Sequence, residues 1–320
     1  MDSYSAQVGW TDEQWNRVTK TITEEAQKAR VAAMFLPIVG PLDPTVEAIA
    51  PLTLKTEYVP APPGARAPAA GAADRPTRML VDTDPTLHLA TLSTLVYLRS
   101  AEVADPELAA ALGMFRRAAN LLALGEDAIV FGGQPKEGDP PPNYPPARFA
   151  DLVRVTGGGD NEGLLPTNRA APNQFPGPGG AAPSGQGRHV IDAGANGAKL
   201  VSAVVTAIST VEAAGFPGSF ACVLSNDLFG VACTPSNDLV MPRDRILPFV
   251  DGRLIRSSMI PSKHGVVVAL GGSPVELVIA SDITVRFLHT DSEPRYVFRL
   301  SERLALRVKD KAAIALLYST

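Results

Sequence analysis

The side chains that most often carry out chemistry are few and scattered along this chain of 320 residues. The sequence lacks the Gly-x-Ser-x-Gly nucleophile motif, a phosphate loop ending in Gly-Lys-Ser/Thr, and the His-Glu-x-x-His metal motif. We therefore predict no catalytic residue and no bound metal ion. Four histidines fall in four different segments without the close spacing that metal ligands require: His88, His189, His264 and His289.

Three further patterns have an ordinary structural explanation. The glycine run 157–159 lacks the strand, helix and downstream acid of a dinucleotide site, so it is typical of a flexible loop. Asp12-Glu13 and Glu24-Glu25 resemble paired catalytic carboxylates, but such pairs on a helix are typical of a solvated face. We predict no cofactor, and the residues favour a structural or interaction protein over an enzyme.

Composition narrows the class of partner. A count of 29 Lys and Arg against 33 Asp and Glu gives a net charge of −4, so the chain lacks the overall positive field of nucleic-acid-binding proteins. No apolar run reaches the roughly 18 residues of a membrane span, and residues 1–10 do not resemble a secretory signal. Cys222 and Cys233 are expected to be reduced core residues. The expected location is the cytoplasm, with neither nucleic acid nor membrane as a partner.

The first element that could position a functional group is a helix that begins after Thr11. Thr11 and Gln14 have capping-box spacing. Trp15, Val18 and Ile22 then recur at three- and four-residue steps, as on one face of an amphipathic helix. This apolar stripe either packs on its own domain or forms a groove for a partner peptide.

A protruding hairpin is predicted next. The segment 52–59 is typical of a strand, residues 60–76 are rich in Pro, Ala and Gly, and an extended pattern resumes at 79–81. The tip has too few large apolar groups to form a core of its own. It is therefore either disordered or ordered by contact with another chain.

The rest of the chain is predicted to be helical first and then mostly extended. One helix begins at Asp105-Pro106, with Asp as the N-cap, and another spans 197–214. Residues 134–189 form a long stretch rich in Pro and Gly, and strands dominate after residue 220. This order predicts an α+β fold rather than a βαβ alternation.

Several phrases, in this order, resemble the encapsulin family of nanocompartment shell proteins, once labelled linocin-like bacteriocins. They begin in the first helix, include the end of the long helix, and finish in the last strands. Together they cover most of the chain. The phrases are Glu13-Gln14-Trp15 to Ile22 with Glu24-Glu25-Ala26, Gly40-Pro41-Leu42, Leu122 to Gly132, Glu162 to Leu165, Gly215 to Leu224, and Gly265 to Val308.

The resemblance implies the major capsid fold of tailed phages, the Hong Kong 97 type, with a peripheral domain, an apical domain and an extended hairpin arm. Two additions depart from the family: an enlarged arm tip at 60–76 and an insert at 168–189. The expected division is an N-terminal interior helix (1–36), a connector (37–51), the arm (52–82), a peripheral domain (83–196 and 262–320, with the Pro/Gly-rich insert near 134–189) and an apical domain (197–261).

The resemblance also implies a function. Many copies would close into an icosahedral shell, without catalysis of its own, around a cargo enzyme recruited by a C-terminal targeting peptide. A ferritin-like protein or a peroxidase is the expected cargo, for iron storage or oxidative-stress defence, and the ferritin-like protein is favoured of the two. The expected peptide-binding residues are Trp15, Val18 and Ile22, and the expected pore-loop residues are Pro235, Ser236, Asn237 and Asp238.

Two alternatives remain open. A phage or prophage major capsid protein that packages DNA would have the same fold. A cytosolic enzyme with its site in the Gly-rich middle of the chain represents a different class. Some encapsulins bind flavin through an exposed aromatic residue near the long helix, but both tryptophans here, Trp10 and Trp15, lie at the N-terminus, so no flavin is expected.

Overall fold

The computed structural model describes residues 8–43, 45–58, 77–84, 86–134, 151–159, 161–165, 188–194, 196–235 and 240–319. The α-helices within these ranges are α1 (Asp12–Ala29), α2 (Ser100–Val103), α3 (Ala109–Gly132), α4 (Gly197–Ala213), α5 (Asn226–Cys233) and α6 (Pro242–Ile246). The strands are β1 (Ile38–Val39), β2 (Ala48–Ile49), β3 (Thr53–Tyr58), β4 (Thr77–Asp82), β5 (Leu87–His88), β6 (Ala90–Arg99), β7 (Arg154–Gly157), β8 (His189–Asp192), β9 (Phe220–Leu224), β10 (Leu254–Arg256), β11 (His264–Ala269), β12 (Val275–Thr290), β13 (Arg295–Val308) and β14 (Ile314–Tyr318).

The first sheet has the strand order β1-β12-β13-β6-β7. Helix α3 packs on β6 and β13, and α1 packs on α3 and β12. Strand β6 shows why the sheet has two unlike faces: Leu92, Val96 and Leu98 are buried, whereas Leu95 and Tyr97 between them are exposed. This period of two places one face against the helices and leaves the other face open.

The second sheet has the order β10-β9-β11-β14-β8 and is covered by α4. Its central strands are buried on both faces. Val266 and Val268 face the main core, which also contains α1, α3 and the first sheet, whereas Val267 and Ala269 face the core under α4. A strand buried on both sides reads as a continuous apolar run. The expected domain division placed β11 and β14 in the peripheral domain with β12 and β13, but both strands pair within this second sheet.

The hairpin predicted at 52–82 is present. Strands β3 and β4 pair antiparallel, with Leu54 opposite Val81. The N–H of Leu54 also donates to the carbonyl oxygen of Lys309 at 2.7 Å, which ties the hairpin base to the end of β13. The hairpin tip at 60–76 and most of the Pro/Gly-rich stretch at 134–189 lie outside the described residues.

Helix α1 begins where the sequence predicts, with both hydrogen bonds of the Thr11–Gln14 capping box. The predicted start of α3 at Asp105 is wrong, because α3 begins at Ala109. The Asp105 carboxylate accepts from the N–H groups of Glu107 and Ala109 within a turn, and Leu108 adopts a left-handed backbone with φ of 52°. The turn therefore uses the expected capping side chain before the helix starts.

A buried ion cluster joins the end of α1 to α3 and β13. Arg30 Nε lies 2.8 Å from Glu126 Oε2, and its Nη2 contacts Glu302 Oε1 as well as Asp282 Oδ1, the latter at 2.6 Å. The side chains of Glu126 and Glu302 have no exposed surface, and that of Arg30 is 7% exposed. One cation therefore serves two fully buried carboxyl groups and one that is partly exposed.

Burial and neighbouring charges both shift the pKa values of the groups in this cluster. Burial opposes the charge on Arg30, but Glu302 and Glu126 outweigh it and raise the pKa of the guanidinium. Burial, followed by the nearby charge of Glu126, raises the pKa of Glu302 well above its usual value. Burial also raises the pKa of Glu126, although Arg30 opposes that effect. The pair of glutamates thus holds a proton to higher pH than exposed glutamates do.

Asp127, the next residue of α3, caps the turn that follows α1. Its Oδ1 accepts from the N–H of Ala32 at 2.8 Å and from that of Val31 at 3.0 Å. Burial raises the pKa of Asp127 to about 8, against the opposing effect of the Ala32 hydrogen bond. Adjacent acids on α3 thus hold Arg30 and the backbone just after it.

Replacement of the central cation tests this cluster. Arg30→Met should lower the free energy of unfolding by about 3–5 kcal/mol, because Glu126 and Glu302 would stay buried without their counter-charge. Denaturant titration followed by circular dichroism measures the loss. As a control, Arg17→Met removes the exposed ion pair between Arg17 of α1 and Glu107, which precedes α3. This variant should lower the free energy of unfolding by less than about 1 kcal/mol. Equal losses for the two variants would contradict the assigned role of Arg30.

Because its pKa is raised in the folded chain, Asp127 makes the free energy of unfolding depend on pH. The folded chain keeps a proton at Asp127 that the unfolded chain releases near its ordinary pKa of about 3.9. The contribution of Asp127 is therefore present at low pH and is lost as pH rises towards the folded pKa of about 8, by at most about 1.4 kcal/mol per pH unit. Asp127→Asn should flatten the pH dependence of the unfolding free energy in that window. An unchanged pH profile would show that Asp127 does not titrate there.

Candidate functional site

The apolar stripe of α1 packs inside its own chain. Val18 has no exposed surface and Ile22 is 1% exposed, and both belong to the main core, where α1 packs on α3. Both side chains are closed off from solvent by this packing, and a peptide-binding role for Val18 and Ile22 stays a prediction. The stripe contributes packing of α1 on its own domain, which is the other interpretation that its sequence allows.

Trp15 differs from the two aliphatic residues because it is only partly buried. It stands in an aromatic cluster, with its ring centroid 4.9 Å from that of Trp10, and Trp10 stacks on Phe298 at 5.1 Å. The Trp10 indole N–H donates to the carbonyl oxygen of Val103 at 2.9 Å. This cluster fastens the start of α1 to β13, and a peptide-binding role for Trp15 stays a prediction.

An open groove lies at the other end of α1, where the chain passes into β1 and crosses β12. Its volume is about 420 Å³. Two apolar side chains remain open to solvent here: Met34 is 63% exposed and Ile38 is 51% exposed. The residues that line this end groove are Gln27, Arg30, Ala33, Met34, Ile38, Gly40, Pro41, Ile279 and Asp282.

The backbone at Gly40 gives the groove one of its walls. Gly40 has φ of 139°, and a Cβ atom placed on it would lie 2.0 Å from the carbonyl oxygen of Ile279. Only glycine permits both this backbone conformation and this close approach to β12. The Gly-Pro-Leu phrase thus has a structural function, since it lets the connector cross the strand.

The groove combines an apolar floor with a charged end. Ala33, Met34, Ile38, Pro41 and Ile279 supply carbon surface. At the other end Arg30 is held by the buried glutamates, and the Asp282 side chain is 56% exposed while it contacts Arg30. The exposed carboxylate and the apolar floor suit a short segment that carries aliphatic side chains and hydrogen-bond donors.

Sequence reasoning missed Met34 and Ile38. Both follow the end of α1, outside its periodic stripe, so helical spacing does not single them out. A usable signal was present, because the apolar run 34–39 lies directly after a helix without turn residues other than Pro37. Whether such a run is buried depends on β12, which is distant in sequence.

The expected pore loop is only partly described. Pro235 follows α5 and is exposed, whereas Ser236, Asn237 and Asp238 lie outside the described residues. Their role at a pore therefore stays a prediction.

The hairpin presents a second apolar surface. Leu54, Met79 and Val81 share one face of the β3–β4 ribbon, because Leu54 pairs with Val81 and Met79 is two residues from Val81. They are 44%, 85% and 57% exposed, respectively. We call these three residues the arm face.

The described residues were expected to hold no metal ion, no disulfide and no membrane span. Within the described ranges, His, Cys, Asp and Glu side chains form no group of three or more suited to a metal ion. Cys222 and Cys233 are free, and burial raises the pKa of the Cys222 thiol to about 12, so it is unreactive. Among the helices of the described residues, none combines the length and apolar character needed to cross a membrane.

Solved structures with this architecture include a virus-like particle and a phage capsid. A virus-like particle protein from Pyrococcus furiosus superposes with a TM-score of 0.64 at 14% identity, over 95% of this chain and 99% of its own. The capsid protein of Myoviridae phage XM1 gives 0.55 at 13% identity, over 89% and 90% of the two chains. A structure of Mycobacterium phage Adephagia gives 0.54 at 15% identity, over 92% and 90%.

Sequence comparison gives a second, independent result. Residues 182–305 match the family model described as "Encapsulating protein for peroxidase". No curated protein matches the chain in sequence. The chain therefore has the expected α+β major capsid fold of the Hong Kong 97 type, and its resemblance to the encapsulin shell proteins is confirmed.

Proposed function

We propose that the chain is the subunit of a closed, many-copy nanocompartment that encloses a cargo enzyme and has no catalysis of its own. The encapsulin-type family match over 182–305 supports this function most directly. The arm face and the end groove add support, because a lone subunit has no use for them. We assign the arm face to the contact between copies and the end groove to the contact with cargo.

The contact between copies is assigned to the arm face. Leu54, Met79 and Val81 are carbon-rich and exposed on a two-stranded ribbon, which is only marginally stable by itself. Burying this face against a second copy removes apolar surface from water at about 25 cal/mol per Å². Repeated around a symmetric shell, modest contacts of this kind add up to a stable particle.

A charge on the arm face should block assembly without unfolding the subunit. We expect Val81→Asp and Met79→Asp to convert particles to small species, because an unpaired carboxylate would be buried at each contact. Size-exclusion chromatography with light scattering measures the mass, and circular dichroism checks the fold.

Leu80→Asp is the matched control, because it adds the same charge to the same strand on the opposite face of the ribbon, one residue from both Met79 and Val81. This variant should still form particles. Intact particles from both arm-face variants would count against the assignment of the arm.

The cargo contact is assigned to the end groove. The expected targeting peptide is short and comes from the C-terminus of the cargo enzyme. Aliphatic side chains of such a peptide would cover Met34 and Ile38, and its backbone N–H groups would reach the Asp282 carboxylate. Because the family is described by its peroxidase cargo, we favour oxidative-stress defence and keep iron storage with a ferritin-like cargo as the second choice.

Cargo loading should depend on Ile38. Ile38→Asp replaces an exposed apolar contact with a charge, and the loss of one buried aliphatic side chain of about 1.5–3 kcal/mol corresponds to roughly a ten- to hundredfold weaker contact. We expect intact particles with at least tenfold less co-purified protein, measured by quantitative mass spectrometry of particles from the native host.

Leu152→Asp serves as the control for this experiment. Leu152 is 49% exposed, close to the 51% of Ile38, but it lies outside the groove. Cargo loading should be unchanged in this variant. Equal cargo in the Ile38 variant and in the wild type would refute the groove.

A phage or prophage capsid protein is the second candidate, favoured by the structural match to phage XM1. DNA extracted from nuclease-treated particles would support this candidate, whereas enclosed protein without DNA would support the nanocompartment. An enzymatic activity in small, unassembled species would support the remaining alternative, a cytosolic enzyme with its site in the Gly-rich middle of the chain. The proposal places the particle in the cytoplasm, in keeping with the two free thiols.

A further inference from the structure

The open face of the first sheet carries a cleft with an unusual lining. Its volume is about 460 Å³, and every residue that lines it is Arg, Ser or Thr. No carboxylate is among them, although the chain as a whole has a net charge of −4. The lining residues are Thr91, Ser93, Arg154, Thr156, Ser281, Thr284, Arg286, Arg299, Ser301 and Arg303.

Strand register arranges these side chains in three rows. Arg286 lies opposite Arg299 in the first row. The second row runs across four strands, from Thr284 through Ser301 and Ser93 to Arg154, and the third contains Arg303 and Thr91 with their neighbours. Cationic groups thus surround a central group of hydroxyls.

The cations are poorly compensated by the protein. Among the described residues, Arg154, Arg286 and Arg299 make no ion pair, whereas Arg295 and Arg99 on the same sheet pair with Glu293 and Glu102. Like charges directly opposite each other on two strands are destabilising. The Arg286–Arg299 pair therefore costs stability, and such a cost is typical of a functional site.

Guanidinium groups beside hydroxyls match one chemical class of ligand. Arg binds phosphate oxygens through paired N–H groups, and Ser and Thr hydroxyls donate to the remaining oxygens. Arg299 and Arg303 are four residues apart on β13, about 13 Å, and the cleft spans four strands, about 14 Å. An anion with several linked phosphate groups contacts more of these guanidinium and hydroxyl groups at once than a single phosphate does.

We propose that this arginine cleft binds an anion that carries several phosphate groups, either a free oligophosphate or a nucleic-acid strand. The hairpin of a second copy is a poor alternative occupant, because residues 53–82 contain four basic residues against three acidic ones. This inference is independent of the cargo groove, which lies between α1 and β12. It concerns local charge, which the net charge of the chain does not reveal.

Isothermal titration calorimetry on the purified assembled protein, with inorganic tripolyphosphate as the probe, tests the cleft. We expect saturable binding, at least tenfold tighter than that of orthophosphate. Arg299→Gln and Arg286→Gln should each weaken it at least tenfold. Arg295→Gln, on the same strand outside the cleft, should change it less than twofold. No tripolyphosphate binding, or an equal loss in Arg295→Gln, would overturn the proposal.

A competition experiment identifies the source of the phosphates. Displacement of tripolyphosphate by oligothymidylate assigns the cleft to a nucleic-acid strand, and failure of displacement assigns it to a free oligophosphate. A second readout is independent of the ligand. Without ligand, Arg299→Gln should raise the melting temperature by about 1–3 °C, because it removes the repulsion from Arg286. A lower melting temperature would show that Arg299 is needed for the fold and would overturn its assignment to the ligand.

Discussion

The contact of Arg30 with Glu126 and Glu302 is the interaction on which the rest of the subunit depends. It joins three elements that are far apart in sequence, at the point where α1 ends and the chain turns towards β1. Because unpaired charges are costly in a protein interior, the three groups tolerate few other arrangements. Asp127 strengthens the same corner through the backbone of Val31 and Ala32. The end groove and the connector that crosses β12 at Gly40 are built on this corner.

A subunit organised in this way leaves three surfaces that its own stability does not require. The arm face and the end groove expose carbon, and the arginine cleft collects four Arg side chains without a carboxylate in its lining. Apolar surface of this kind marks contact sites on soluble proteins. The low proportion of charged residues, 19% of the chain, fits a subunit whose surface is shared with neighbours. The proposed nanocompartment would use the arm face between copies and the end groove for cargo.

Local sequence patterns predicted most helices and strands. Burial and sheet membership were harder to predict, because they depend on contacts between residues that are distant in sequence. The Thr11–Gln14 capping box and the hairpin were visible because neighbouring residues determine them. Nothing near Glu302 indicates that it is buried, because its partner Arg30 is 272 positions away. Strand β11 looked like its neighbours in sequence but pairs in the other sheet. The stripe of α1 was correctly identified as apolar, and its side chains pack inside the core.

The central claim is that many copies of this chain close into a shell. Electron microscopy of the purified wild-type protein, together with its mass by light scattering, tests that claim directly. We expect uniform, closed, icosahedral particles that contain many subunits. A monomer or dimer at all concentrations would contradict it.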